Sequence, residues 1–192
     1  MAADGPWLVV GLGNPGERYA KTRHNAGAMV IDVLVGRVGG KLSPLKGKRA
    51  IAVQGRLVNE PVVLAVPSSY MNESGGPVRS LVDYYGSGAE RLIVVHDELD
   101  LDFGRLKLKR GGGAGGHNGL RSIDKSLGTP EYLRVRFGVS RPPGPADPDY
   151  VLREFKSNER KELPLLLEDA ADAVEDLMTC TLEEAQNRHH AG

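Results

Sequence analysis

The chain has 192 residues, of which 40% are hydrophobic and 26% are charged, and its formal net charge at neutral pH is zero. This composition is typical of a globular protein with a buried core and excludes a disordered or membrane-spanning chain. Residues 1–6 lack the basic and apolar regions of a signal peptide, so we expect a cytoplasmic protein with a single domain over residues 1–192.

The first predicted element is a strand over residues 7–12, whose apolar and β-branched side chains are typical of a strand buried on both faces. A glycine-rich turn, Gly-Leu-Gly-Asn-Pro-Gly, follows at residues 11–16. Apolar residues then recur at helical spacing from His24 to Val38. The sequence therefore predicts a helix that begins near His24.

Further strands and helices alternate along the rest of the chain. Strands are predicted over residues 49–57, 62–66, 92–95, 105–108 and 133–139. Helices are predicted over residues 72–85, 118–127, 157–178 and 182–188. This order favours an α/β fold, a single-domain sandwich with a mixed, largely parallel central sheet flanked by helices. Prolines interrupt regular structure after Ser140, and we expect residues 141–156 to form a flap or lid.

Polar side chains follow the predicted strands at their carboxyl ends. Asn14, Asn72 and Asp97 follow the first, third and fourth strands, and His117-Asn118 follows a second glycine-rich stretch and opens a helix. In open α/β sheets, functional groups gather at this edge. We therefore expect these side chains to meet in one cleft.

These residue types suit attack by water on a carbonyl group. His24 is a candidate general base, and Asp97 is a candidate partner that fixes its tautomer and stabilises its cation. Asn14, Asn72 and Asn118 can hold water, grip substrate backbone and donate to an oxyanion. Taken singly, each also has a structural interpretation as a helix cap, a turn residue or a surface residue.

Several cofactor motifs fail on their context. Gly11, Gly13 and Gly16 match the dinucleotide pattern, but the helical stripe begins too late for a helix N-terminus to meet a pyrophosphate. The second glycine stretch lacks the Lys-Ser/Thr pair of a P-loop. No metal-ligand spacing is present, and Cys180 is the single cysteine. We expect an enzyme without a cofactor or metal.

Positive charge is concentrated between residues 104 and 141, a segment that contains nine basic residues and two acidic ones. The nine are Arg105, Lys107, Lys109, Arg110, Arg121, Lys125, Arg134, Arg136 and Arg141. Such a segment can bind a phosphate-bearing partner, or its charges can be scattered over a solvated surface. Position in the fold must decide between the two.

Five motifs in order make the chain resemble bacterial peptidyl-tRNA hydrolases from Trp7 to Arg188. They are Gly11–Gly16 with Tyr19, residues 22–27, residues 67–75, residues 96–100 and residues 111–119. The resemblance implies a monomeric, cofactor-free α/β enzyme. Such an enzyme cleaves the ester between a peptide and the 3′-terminal ribose of tRNA, and it recycles peptidyl-tRNA dropped during translation.

The resemblance also implies roles for individual residues. His24 and Asp97 match the catalytic base and its partner. The other matched positions are Asn14, Asn72 and Asn118 for water or substrate, Tyr19 and Met71 near the peptide and terminal adenosine, and His117 in the substrate channel.

For the nucleic-acid end of the substrate, the resemblance implies a basic pair, Lys109 with Arg136, that grips the 5′ phosphate of tRNA, with Lys107 close by. Ala114 departs from relatives that carry histidine there. Two alternatives remain at this point: a catalytically silent RNA-binding module that uses the same basic surface, and a nicotinamide-dependent oxidoreductase.

Overall fold

A seven-stranded sheet forms the centre of the computed structural model, which describes residues 5–190. The strands are β1 Trp7–Gly11, β2 Ser43–Leu45, β3 Ala50–Leu57, β4 Glu60–Pro67, β5 Leu92–Glu98, β6 Leu106–Arg110 and β7 Leu133–Gly138. They lie in the order β2-β3-β4-β1-β5-β7-β6. The four strands β4, β1, β5 and β7 are parallel, and antiparallel strands complete both edges. The predicted mixed sheet with a parallel core is confirmed.

Helices cover both faces of this sheet. They are α1 Ala26–Val38, α2 Gly75–Tyr85, α3 Asn118–Leu127, α4 Ser157–Thr179 and α5 Leu182–His189. Successive side chains of a strand point to opposite faces, so β1 contributes to two cores. Val9 packs in the core with α1 and α4, whereas Leu8 and Val10 pack in the core with α2 and α3. The prediction that β1 is buried on both faces is confirmed.

The described helices are too short or too polar to be transmembrane spans. None of them, within residues 5–190, combines sufficient length with sufficient apolar character to cross a bilayer.

The structure differs from the sequence prediction at β2 and at two helix starts. Strand β2 was not predicted, because it is a short edge strand that contains Pro44. A 3₁₀ turn, Arg23–Asn25, precedes α1, and another, Met71–Glu73, precedes α2. His24 and Asn72 therefore lie in tight turns ahead of the helices and not in their first α-helical turns.

The C-terminal helix covers the edge strand β6. The Gln186 side-chain amide donates to the Leu108 carbonyl at 2.9 Å, and the Leu108 N–H donates to His190 Nε2 at 2.7 Å. These bonds occupy backbone groups that an edge strand otherwise leaves free. Helix α5 thus holds the strand that carries Lys107 and Lys109.

Candidate active site

The parallel strands bring the predicted polar residues to one edge of the sheet. The segments after β1 and β4 carry Asn14 and Asn72, Asp97 lies near the carboxyl end of β5, and β1 lies between β4 and β5. Asn14 Oδ1 accepts from the Met71 N–H at 2.7 Å, which joins the first two exits. The expected convergence is therefore observed for these two loops.

His24 and Asp97 form a buried hydrogen-bonded pair. The 3₁₀ turn Arg23–Asn25 presents the His24 ring to the end of β5, where its Nδ1 lies 2.8 Å from Asp97 Oδ2. Their side chains are 11% and 2% exposed. This is the contact that the sequence predicted for a base and its orienting acid.

A second imidazole binds the other oxygen of the same carboxylate. His117 Nε2 lies 2.8 Å from Asp97 Oδ1. His117 is also the N-cap of α3, where its Nδ1 accepts from Gly119 N at 3.1 Å and Leu120 N at 3.3 Å. Because Nδ1 accepts, the ring proton must be on Nε2, which donates it to Asp97.

These contacts also set the protonation of His24. Asp97 accepts at both oxygens, so His24 carries its proton on Nδ1 and keeps a lone pair on Nε2 when neutral. Burial lowers the pKa of His24, but the Asp97 charge and hydrogen bond outweigh it and raise that pKa above 6.5. Burial raises the pKa of Asp97, yet the two imidazoles hold it well below its usual range. Asp97 is therefore ionised at neutral pH.

His24, Asp97 and His117 also form a group whose possible metal ligands all lie within 4.8 Å of one another, among residues 5–190. A metal ligand must offer a lone pair. In this arrangement His117 Nδ1 is engaged by α3 and Nε2 carries the proton. The geometry fits a proton network better than a cation site.

His96 supports the site from below and was not singled out as a candidate from the sequence. It is buried, its Nδ1 donates to the Asp97 carbonyl at 2.8 Å, and its ring lies edge-on to His117 with centroids 5.2 Å apart. Burial and the neighbouring His117 lower the pKa of His96 to about 3. This histidine is thus neutral, and its place immediately before Asp97 was the available signal.

Asn14 is held by Asn25, which no sequence pattern singled out as a site residue. Asn25 Oδ1 accepts from the Asn14 N–H, and Asn25 Nδ2 donates to the Asn14 carbonyl, both at 2.9 Å. With Oδ1 bound to Met71 N, the amide of Asn14 has a fixed orientation. Its Nδ2 group remains a donor with no partner among the described residues.

A cleft of about 200 Å³ opens beside the pair. It is lined by His24, Asp97, Glu98, Leu99, Gly115, Gly116, His117, Asn118, Asp147, Pro148 and Val151. Asn118 also lines a neighbouring groove, which contains Asn72. Of the described candidates, Asn14, Tyr19, Met71 and Asn72 do not line the cleft itself, and Asn72 is exposed in the groove.

Two cross-strand pairs of like charge lie on β6 and β7. Lys107 is opposite Arg136, and Lys109 is opposite Arg134. Like charges in register destabilise a sheet. Burial and the cations of Arg136, Arg134 and Lys107 lower the pKa of Lys109. An anionic ligand at this face would relieve the repulsion.

The basic residues of this segment are not all free to bind a ligand. Arg136 Nε and Nη2 both lie 2.9 Å from Glu98 Oε1, and Arg141 pairs with Asp100 at 2.6 Å. Arg134 is buried. Net charge alone therefore overstates the cations available to a partner. On β6, Lys107 and Arg110 are exposed and Lys109 is partly buried.

The chain is similar to known proteins over nearly its whole length. A family model described as "Peptidyl-tRNA hydrolase" matches residues 8–192. The peptidyl-tRNA hydrolases of Frankia casuarinae and Rhodococcus erythropolis are each 59% identical to the chain, over 98% and 95% of it and 95% and 97% of their own lengths. The crystal structure of peptidyl-tRNA hydrolase from Acinetobacter baumannii superposes with a TM-score of 0.91 at 35% identity, covering 98% of this chain and 96% of that one.

Proposed function

The chain belongs to the peptidyl-tRNA hydrolase family, enzymes that hydrolyse peptidyl-tRNA, and from that premise we propose that His24 activates the attacking water. The observation that carries this proposal is the 2.8 Å contact between His24 Nδ1 and Asp97 Oδ2. It leaves Nε2 of a cleft-lining imidazole as the base.

The proposed reaction has two steps, addition of water to the ester carbonyl and departure of the ribose oxygen. His24 Nε2 removes a proton from water, and the water oxygen forms a bond to the ester carbonyl carbon. The negative charge moves to the carbonyl oxygen, while Asp97 stabilises the imidazolium. The bond to the 3′ oxygen of ribose then breaks, and the imidazolium returns its proton to that oxygen. The products are a peptide carboxylic acid, which ionises, and a tRNA 3′-hydroxyl.

The proposed donor to the oxyanion is an asparagine amide, either Asn118 or Asn14. Asn118 lines the cleft beside His117. The Asn14 side-chain amide is oriented by the Met71 N–H, and the Asn14 backbone is held by Asn25. A fixed amide donor costs little reorganisation as charge develops. We assign Asn72, in the adjoining groove, to substrate backbone, and Tyr19 and Met71 to the neighbourhood of the peptide and terminal adenosine.

The cations of the sheet edge are the proposed phosphate site. Lys107 and Lys109 are two residues apart on β6 and so lie on the same face of the sheet, and Arg136 lies opposite Lys107. A terminal phosphate carries more charge than an internal phosphodiester and three acceptor oxygens, which suits several converging donors. We propose that these three residues bind the 5′ phosphate of tRNA, with Arg136 donating from Nη1, because Glu98 already holds its Nε and Nη2.

The segment predicted to be a flap, residues 141–156, has two parts. Residues 150–154 are held by the turn before α1, and the outer part precedes them. Arg23 Nη1 donates to the Tyr150 carbonyl at 3.0 Å, Arg23 N donates to Arg153 O at 3.1 Å, and Thr22 pairs with Glu154. Asp147 and Pro148 line the cleft. Within residues 141–156 we propose that the outer part closes over substrate.

We also propose that the enzyme acts as a monomer in the cytoplasm, where ribosomes release peptidyl-tRNA.

Cleavage of N-acetylaminoacyl-tRNA in ¹⁸O-labelled water tests the proposed reaction. Attack of water on the carbonyl carbon transfers one labelled oxygen to the released acid and none to the tRNA. Label in the ribose hydroxyl would contradict the mechanism, since it requires attack at the ribose carbon. Binding without cleavage would favour the silent RNA-binding module instead.

A further inference from the structure

The glycine loop of residues 111–116 delivers His117 and Asn118 to the cleft with almost no side chains of its own. Ala114 supplies its one Cβ. Gly111, Gly112, Gly115 and Gly116 have φ values of 72°, 97°, 60° and 81°, which other residues rarely adopt. Such a backbone has many alternative conformations, so contacts from outside the loop must select the observed one.

Arg134 supplies those contacts from the strand below. Its side chain is 1% exposed, and it donates from Nη1 to Gly113 O at 2.9 Å and from Nη2 to Gly112 O at 3.2 Å. The guanidinium therefore holds two successive carbonyls of the glycine loop. A planar group with several donors is suited to such a contact, and an ammonium group is not.

The same guanidinium also reaches the far end of α3. Nη2 lies 3.4 Å from Asp124 Oδ1 and 3.1 Å from Pro130 O. His117 lies between the loop carbonyls and Asp124 in the chain. One buried side chain therefore ties both ends of the segment that carries His117.

Tyr132 belongs to this network but does not touch the loop carbonyls. The Arg134 guanidinium lies 4.6 Å from the centre of the Tyr132 ring, and the Tyr132 hydroxyl donates to Asp124 Oδ1 at 2.7 Å.

Burying the guanidinium of Arg134 is costly even with partners, and an apolar residue could fill the site. Stability alone is therefore a weak reason for an arginine at this position.

We propose that Arg134 is a positioning residue, which holds the glycine loop so that His117 stays bonded to Asp97 and Asn118 stays in the cleft. The proposal rests on the proposed function, because it takes Asp97 as the partner of His24. If the loop loosens, Asp97 loses the hydrogen bond that His117 Nε2 donates to it. Its attraction for the His24 proton then increases, and the protonated form of His24 persists to higher pH.

The test compares Arg134→Lys with Tyr132→Phe in full-length protein. The lysine variant keeps the charge but cannot hold both carbonyls together with Asp124. The phenylalanine variant removes one bond of the same buried network and leaves the loop contacts in place. Thermal unfolding of both, and kcat/KM against pH on N-acetylaminoacyl-tRNA, are measured with the wild type and His24→Ala beside them.

We expect Arg134→Lys to lose about tenfold to a hundredfold in kcat/KM, as misplacement of site groups does, and to shift the acid limb to higher pH. Tyr132→Phe should lose stability and keep the wild-type acid limb. An Arg134→Lys variant with the wild-type limb and no greater loss than Tyr132→Phe would overturn the proposal. If the lysine variant does not fold, Arg134→Gln, which buries no charge, takes its place. Full activity of His24→Ala would instead defeat the proposed function.

Discussion

Gly27 of α1 lies directly against the backbone of Val95 in β5. A Cβ at Gly27 would fall 2.1 Å from the Val95 carbonyl oxygen and 2.6 Å from Leu12 N. No side-chain adjustment can relieve a clash with two backbone atoms. The absence of a side chain at residue 27 therefore lets the start of α1, and His24 just before it, approach β5, which carries Asp97 next to its last residue.

This relationship predicts opposite effects for two glycines of one helix. Gly27→Ala forces α1 away from the sheet and should destabilise the protein by about 1–3 kcal/mol or more, the usual cost of overpacking, with loss of activity. Gly36, also in α1, has no atom within 4 Å of an added Cβ. Gly36→Ala should therefore stabilise the protein by roughly 0.5–1 kcal/mol. Urea unfolding measures both, and equal effects would contradict the packing argument.

The pKa of His24 predicts the acid limb of the pH profile. Catalysis needs the unprotonated Nε2, and Asp97 raises the pKa of His24. We therefore predict that kcat/KM falls as the pH is lowered, with an apparent pKa above the ordinary histidine value of 6.5. Asp97→Asn removes the charge that offsets the effect of burial on the pKa of His24. That pKa should therefore fall, so the acid limb should move to lower pH while kcat drops. Asp83→Asn, an exposed change on α2, should leave the limb in place. A limb unmoved by Asp97→Asn would break the link between the two residues.

His117 has two separable contacts, one to α3 and one to Asp97. His117→Ala removes both, and loss of a helix N-cap should cost about 0.5–2 kcal/mol. Asparagine is a good N-cap, so His117→Asn should recover most of this stability without recovering kcat/KM. Unfolding free energies and steady-state kinetics of the two variants separate the roles. Recovery of both quantities by asparagine would show that only the cap matters.

The phosphate site predicts a change in salt dependence. If Lys107, Lys109 and Arg136 contact phosphate, each neutral substitution should reduce the slope of log binding constant against log salt by about 0.7–0.9. Lys46 follows β2 at the opposite edge of the sheet and is exposed, so Lys46→Gln serves as the control. Titration of 5′-phosphorylated tRNA at several salt concentrations gives the slopes. An unchanged slope in the triple variant would return these residues to the solvated surface.

The sequence predicted the central strands from local patterns, and it predicted the His24–Asp97 contact from where those strands end. Apolar runs identified β1, β4 and β5, and the rule that sites form at the carboxyl edge connected their exits. Strand β2 escaped because an edge strand of three residues with a central proline carries no apolar pattern.

Other features depend on packing that no local pattern encodes. The sharing of Asp97 between His24 and His117 requires the conformation of the glycine loop, which Arg134 holds from another strand. Charge counting placed Arg134 with the surface cations, yet its side chain is 1% exposed. Likewise, Asn72 was predicted to lie in the cleft, whereas it is in the 3₁₀ turn before α2 and lines the neighbouring groove.

The most direct test of the account is the single-turnover rate of ester cleavage by His24→Ala, measured with excess enzyme and alongside tRNA binding. If His24 Nε2 takes the proton from water, the rate constant should fall by about a hundredfold to ten-thousandfold while the Kd for tRNA is unchanged. A variant that cleaves at the wild-type rate, or that loses activity only in proportion to lost binding, would contradict the assignment of His24 as the base.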